Sequence, residues 1–184
     1  MRLMRSGKVK DIYELDSGNI LFHFSDRISA FDVKMATPIP KKGEVLCKFA
    51  EFWFDKLETP HHMLKVVAKD KMEVKKLQMI PLECVVRGYF YGSLIERFAR
   101  APDGYPSLRK FEPILASRLP EPLFDPTTKS NTHDISISED QIVDRGLLSL
   151  DKLAYIKETS INLYRQMSTI VGRAGFIIAD TKFE

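Results

Sequence analysis

From residue 8 to residue 86 the chain breaks into short β-rich runs separated by turn residues, with one long helical pattern among them. No other feature limits the fold as much, because short runs joined by tight turns pair as antiparallel neighbours. "KVKDIYEL" and "ILFHF" flank the turn-rich "DSGN", so residues 8–24 read as a β-hairpin. "MLKVV", "EVKKL" and "LECVVR" read as further strands between polar or Pro-containing breaks. "TPIPKKGE" is a loop. After it, residues 44–57 place Val45, Phe49, Trp53 and Leu57 at four-residue steps, with Leu46 and Phe52 alongside. That spacing predicts an amphipathic helix with this stripe toward the core.

The second half differs in texture. A short helix is predicted from Ser93. Residues 102–134 are rich in Pro, Thr, Ser and Asp, and read as a long loop of the kind that is functional or disordered. Ser138 and Gln141 fit a capping box. The strongest helix is predicted over residues 151–171, with Leu153, Ile156, Leu163, Met167 and Ile170 on one face and Gly172 and Gly175 as candidate stops. The apolar run 176–179 reads as strand inside a sheet, leading into Asp180, Lys182 and Glu184.

Composition narrows the function classes. With 44% hydrophobic and 29% charged residues the chain has the balance of a soluble globular protein. No apolar stretch approaches the roughly 20 residues of a membrane span, so no membrane partner is expected. The start, "MRLMRSGKVKDIY", lacks the apolar core of a signal peptide, and the expected location is the cytoplasm. Cys47 and Cys84 match no metal spacing and are expected as buried free thiols. A net charge of +3 is too small to indicate nucleic acid, but suits anionic small substrates if the basic residues cluster.

Four stretches could carry chemistry. In "SGKVKDIY" strand alternation would present Lys8 and Lys10 together, suited either to a polyphosphate or to a solvated edge strand. In "PLECVVRGYFYGS" Arg87 ends an apolar strand and Ser93 opens a helix, which makes an anion site; an Arg–carboxylate pair with a Ser cap fits equally. Lys129, His133 and Asp134 lie close together among loop residues, where surface roles suffice, and adjacent His61 and His62 read as a polar turn. In "ADTKFE", Asp180, Lys182 and Glu184 share one side of a strand, with Thr181 and Phe183 on the other. Two carboxylates so spaced can hold Mg²⁺ on ATP phosphates, with the lysine balancing charge, or form cross-strand ion pairs on a wet face.

Together "GKVKDIYE", "SDRISAFDV", "PLECVVRGYFYGS", "LPEPLFDPTTKSNTHD" and "IIADTKFE", in this order, make the chain resemble the SAICAR synthetase family over nearly its whole length. The resemblance implies ATP-dependent joining of CAIR, a carboxylated aminoimidazole ribotide, to L-aspartate, giving SAICAR, ADP and phosphate. It implies an α+β fold of two lobes, residues 1–85 a nucleotide-binding sheet lobe and residues 86–184 a substrate and metal lobe, with ATP in a cleft.

By the same resemblance Lys8 and Lys10 face the ATP phosphates, and Leu82, Glu83 and Cys84 form a hinge reached by adenine through backbone groups. Ser29, Asp32, Arg87, Ser93, Lys129, His133 and Asp134 contact substrate. Asp180 and Lys182 stand at the phosphoryl-transfer centre, and Glu184 and Asp180 hold Mg²⁺. Family members continue past "KFE" with a further acidic residue and a substrate loop, so the charged triplet is expected to be half of a site. A kinase-like phosphotransferase and a nucleotide-binding but inactive fragment are the rivals; H-R-D and D-F-G elements are absent from the sequence. A homo-oligomer is left open.

Overall fold

The computed structural model describes residues 1–30, 33–129 and 135–184. The chain divides into two compact units, Met1–Gln78 and Met79–Glu184. The boundary expected after residue 85 would cut the strand Leu82–Tyr89, whose pairing partners all lie in the second unit.

In the first unit β1 (Arg2–Ser6), β2 (Lys10–Glu14) and β3 (Ile20–Phe24) precede two short strands, β4 (Ser29–Ala30) and β5 (Val33–Lys34), and helix α1 (Lys42–Lys56). β6 (Met63–Ala68) and β7 (Lys71–Val74) complete an antiparallel sheet of order β1-β2-β3-β7-β6, while β4 and β5 pair with each other. The predicted hairpin is β2–β3, turning through Gly18 at φ 85°. β1 escaped the sequence pattern because every one of its residues is exposed. β7 ends at Val74, so most of "EVKKL" lies outside any strand.

Helix α1 forms as expected but turns a different face inward. Cys47 is fully buried, and Leu46, Ala50 and Phe54 pack beside it against Phe24 and Met72. Val45 and Phe49 from the expected stripe are 61% and 59% exposed. The cause is the close approach at the helix start, where a Cβ on Gly43 would lie 2.4 Å from the Phe24 carbonyl oxygen. Gly43 therefore faces β3, and Cys47, one turn on, follows it. The start is capped from a distance: the Asp26 carboxylate accepts from the Lys41 and Gly43 backbone N–H groups at 3.2 and 2.9 Å.

In the second unit β8 (Leu82–Tyr89) is the central strand. Helix α2 (Ser93–Arg100), strands β9 (Arg118–Phe124) and β10 (Thr127–Thr128), helices α3 (Glu139–Asp144) and α4 (Leu150–Gly172), and β11 (Asp180–Phe183) follow. β11 lies antiparallel on one flank of β8. β9 and β10 share the other flank in one continuing register, with Phe124 opposite Val86 and Thr127 opposite Glu83. The expected long loop thus contains a strand hidden by Pro120 and Pro122, which β9 tolerates because among the described residues it pairs with β8 alone.

The Leu82, Cys84 and Val86 face of β8 packs with Ile142, Leu153 and Tyr164 in the core of this unit. Ser138 and Gln141 form the predicted capping box on α3. On α4 the buried residues are Leu153, Ser160 and Tyr164, while Leu163, Met167 and Ile170 are only partly buried. Both cysteines are free and buried, and burial pushes both thiols up. Among the described residues no helix is long and apolar enough to cross a membrane.

The apolar run 176–179 is not strand, and Phe176 and Ile177 are 70% and 71% exposed. Gly175 at φ 78° folds the chain back, and the Phe176 N–H donates to Val171 O at the helix end. Pairing along β8 is reached only at Ala179, whose carbonyl accepts from Gly88 N–H at 2.9 Å. Gly88 has its own constraint, since a Cβ there would lie 1.7 Å from the Tyr164 hydroxyl, which is held by donating to Ile178 O at 2.8 Å. Gly88→Ala is expected to cost about 1–3 kcal/mol of stability. Thermal unfolding checks this, and an unchanged midpoint would show that the Tyr164 ring moves aside freely.

Candidate functional site

The first unit builds a braced turn around the two lysines. Lys8 lies in the turn between β1 and β2 and not in a strand, so alternation does not pair it with Lys10, which opens β2. The Gly7 N–H donates to Lys10 O at 2.8 Å. Arg27 donates to both Asp11 carboxylate oxygens, at 2.7 and 3.1 Å, and to Gly7 O at 3.1 Å. Ser25 donates its N–H and hydroxyl to Val9 O at 2.8 and 2.9 Å. The Arg27 hydrogen bonds hold the Asp11 carboxyl below the usual carboxylate range. Lys10 Nζ sits 4.0 Å from the centroid of the Phe22 ring. His62 packs edge-on to Phe22, and burial, with Lys10 second, pushes its pKa down.

Ser29 lies in β4 opposite Lys34. Asp32, His133 and Asp134 are outside the described residues.

In the second unit one face of the sheet is charged, and strand register explains why. Glu83, Val85 and Arg87 project from the side of β8 opposite the core face. Asp180 stands opposite Arg87 and Lys182 opposite Val85, so the β11 charges share that side, while Thr181 and Phe183 share the core side. This is the alternation read from "ADTKFE". Each charge also has a partner. Arg87 Nη1 is 3.9 Å from Asp180 Oδ2, Lys182 Nζ donates to Glu83 Oε2 at 2.5 Å, and Lys129 Nζ is 2.6 Å from Glu184 Oε2.

Arg87 is 8% exposed and Glu83 6%, unusual depths for charged residues. Leu82, Glu83 and Cys84, expected as a backbone hinge, are paired within the sheet, and the Glu83 side chain is turned to Lys182 and to Thr127 Oγ1. Ser93 and Arg87 do meet, the guanidinium Nη2 donating to Ser93 Oγ at 3.0 Å. Ser93 is not the helix cap: Gly92 occupies that position at φ 64°, with no side-chain cap.

Two residues here were missed from sequence. Asp125, 5% exposed, accepts from Arg87 Nε at 2.5 Å and from Arg97 Nη1 at 2.8 Å, and also from Arg97 Nη2. Arg97 follows Ser93 by one helical turn, a spacing that placed both on one face of α2. Asp125 carried no signal, because its strands were not recognised.

Among the described residues no group of three or more His, Cys, Asp or Glu gathers around a point. Mg²⁺ on nucleotide phosphates needs only one or two carboxylates; Asp180 and Glu184, 55% and 43% exposed at the side chain, are the two of the triplet and stand beside Arg87 and Lys129. A cavity of about 710 Å³, walled by Tyr164, Arg165, Phe176 and Ile177, includes none of the charged-face residues.

Residues 3–184 match the family described as SAICAR synthetase. Phosphoribosylaminoimidazole-succinocarboxamide synthase of Nitrosopumilus maritimus is 49% identical over 184 residues, covering 100% of this chain and 66% of that protein. The SAICAR synthase of Saccharomyces cerevisiae, solved in complex with SAICAR, superposes with a TM-score of 0.86 at 34% identity, covering 99% of this chain and 67% of that one. A SAICAR synthetase solved with ADP gives 0.81 at 26% identity, covering 97% and 72%. The chain spans about two thirds of the length of the curated relatives it matches.

Proposed function

Because this chain belongs to the SAICAR synthetase family, we propose that it carries the substrate face of a ligase that joins CAIR to L-aspartate with ATP. The observation that supports this most is the charged sheet face, which brings Arg87, Ser93, Lys182, Asp180, Glu184 and Lys129 into one unit from three separate segments.

The chemistry explains the need for such a face. A carboxylate is a poor acyl donor, since its leaving group would be oxide. In the reaction proposed, a CAIR carboxylate oxygen attacks the γ-phosphorus of ATP, and the bond to ADP breaks. The aspartate amine then attacks the acyl carbon, phosphate departs with the C–O bond electrons, and the amine proton passes to solvent. All three substrates are anionic, so fixed cations are what the reaction requires of the protein.

Arg87 and Ser93 hold CAIR in this reading, with Lys129 at the CAIR and aspartate side. Lys182 offsets the charge that gathers on the transferring phosphoryl group, and Glu83 keeps its ammonium on the face. Asp180 and Glu184 would hold Mg²⁺, which supplies charge neutralisation on the nucleotide phosphates. Lys8 and Lys10 are assigned to the ATP phosphates, the Arg27 and Ser25 bonds keeping their turn in place.

The test is to incubate the chain with Mg²⁺-ATP, CAIR and L-aspartate and to follow ADP and SAICAR together. Equal release of both supports the ligase reading. ADP with phosphate on another acceptor would favour a kinase-like transfer, and SAICAR and ADP binding without turnover would leave a binding fragment.

A further inference from the structure

Three nitrogens of Arg87 have three different fates. Nε donates to Asp125 Oδ2 at 2.5 Å and Nη2 to Ser93 Oγ at 3.0 Å. Nη1 makes no hydrogen bond among the described residues, and stands 3.9 Å from Asp180 Oδ2 on the charged face. A planar group anchored at two nitrogens cannot turn about its Nε–Cζ bond, so the third is held in one direction.

The anchor is itself anchored. The Asp125 N–H donates to Val85 O at 2.8 Å, in the gap between β9 and β10. Its side chain is gripped by both Nη atoms of Arg97, and Arg97 Nη1 also donates to Ser136 Oγ at 2.7 Å. One carboxylate therefore serves two guanidinium groups. Neutralising Arg87 alone would need no second arginine, so Arg97 serves to hold the Asp125 carboxylate in place, while Asp180, the other carboxylate near Arg87, stays 3.9 Å from Nη1. The approach to Nη1 is bare backbone on one side: a Cβ on Gly92 would meet Nη1 first, at 3.8 Å.

We propose that Asp125 is the positioning residue for Arg87, fixing the guanidinium plane so that Nη1 is presented to the anionic ribotide; this rests on the assignment of Arg87 to CAIR above. Arg97 acts one step further back, by holding Asp125.

Nitrogen-15 NMR of the arginine side chains, in the chain and in Asp125→Asn, reads the positioning directly. Separate Arg87 Nη signals are expected in the chain and a single averaged signal in the variant. Calorimetry on the same samples should show SAICAR affinity falling by about tenfold to a hundredfold, the cost of a lost charge-assisted contact, with ADP affinity unchanged. The proposal is overturned if the Nη signals stay separate in Asp125→Asn, or if SAICAR and ADP weaken together. Should Asp125→Asn not fold, the unmodified chain and Ser93→Ala decide: Nη signals that stay separate in Ser93→Ala, where Asp125 is the anchor left, support the proposal, and signals averaged in either sample reject it. A chain that binds no SAICAR would sink the CAIR assignment alone, because the spectra still report whether Arg87 is held.

Discussion

Arg87→Lys is expected to lower SAICAR affinity by about tenfold to a hundredfold while leaving ADP affinity unchanged. Lysine keeps the positive charge, so the effect isolates geometry. The guanidinium reaches Asp125 with one nitrogen and Ser93 with another, leaving a third for ligand. An ammonium is a single point, and one drawn to Asp125 cannot also serve the charged face. Stability should fall less than in Arg87→Met, where Asp125 would keep only Arg97. Calorimetry with SAICAR and ADP separates the cases. An equal loss of both ligands would return Arg87 to a structural part in β8.

The second large effect concerns Lys182 and Glu83. Glu83 is buried, and its carboxylate accepts from Lys182 at 2.5 Å and from Thr127 Oγ1 at 3.3 Å. Lys182→Met leaves that carboxylate with a single weak hydroxyl donor. The expected cost is about 1–3 kcal/mol, the range for a buried acceptor that loses its partner, held to that range because half of the lysine side chain is in solvent. Adding Glu83→Gln to Lys182→Met removes the stranded charge and should recover most of the loss. Denaturant unfolding of the two single variants and the double variant gives the coupling. If the single costs simply add, the pair does not interact and Glu83 has another reason to be buried.

Much of this was legible locally. The hairpin of residues 10–24, the capping box at Ser138 and the burial of both cysteines follow from turn chemistry, capping geometry and apolar pattern within a few residues. So does the shared face of Asp180 and Lys182, because strand alternation needs no partner to be defined. Local pattern was weaker where two answers were equally apolar. Helix α1 offered two stripes, and the close approach of Gly43 to the Phe24 carbonyl selected the one through Cys47.

What the charged face is made of could only come from tertiary structure. Asp180 meets Arg87 across β8 and β11, and Asp125, just past β9, meets Arg87 of β8, between positions 93 and 38 residues apart. Sequence periodicity sets which side of a strand a residue occupies, but not which residue of another strand stands opposite. A slip of one residue would have turned Asp180 and Lys182 into the core, so the apolar packing of Phe183 and Ile178 against the buried cluster of this unit is what selects the register. The sequence by itself determined the family, the main elements and the alternation of charge. The packed core decided which charges meet, because it is the burial of the opposite face that holds each strand in place.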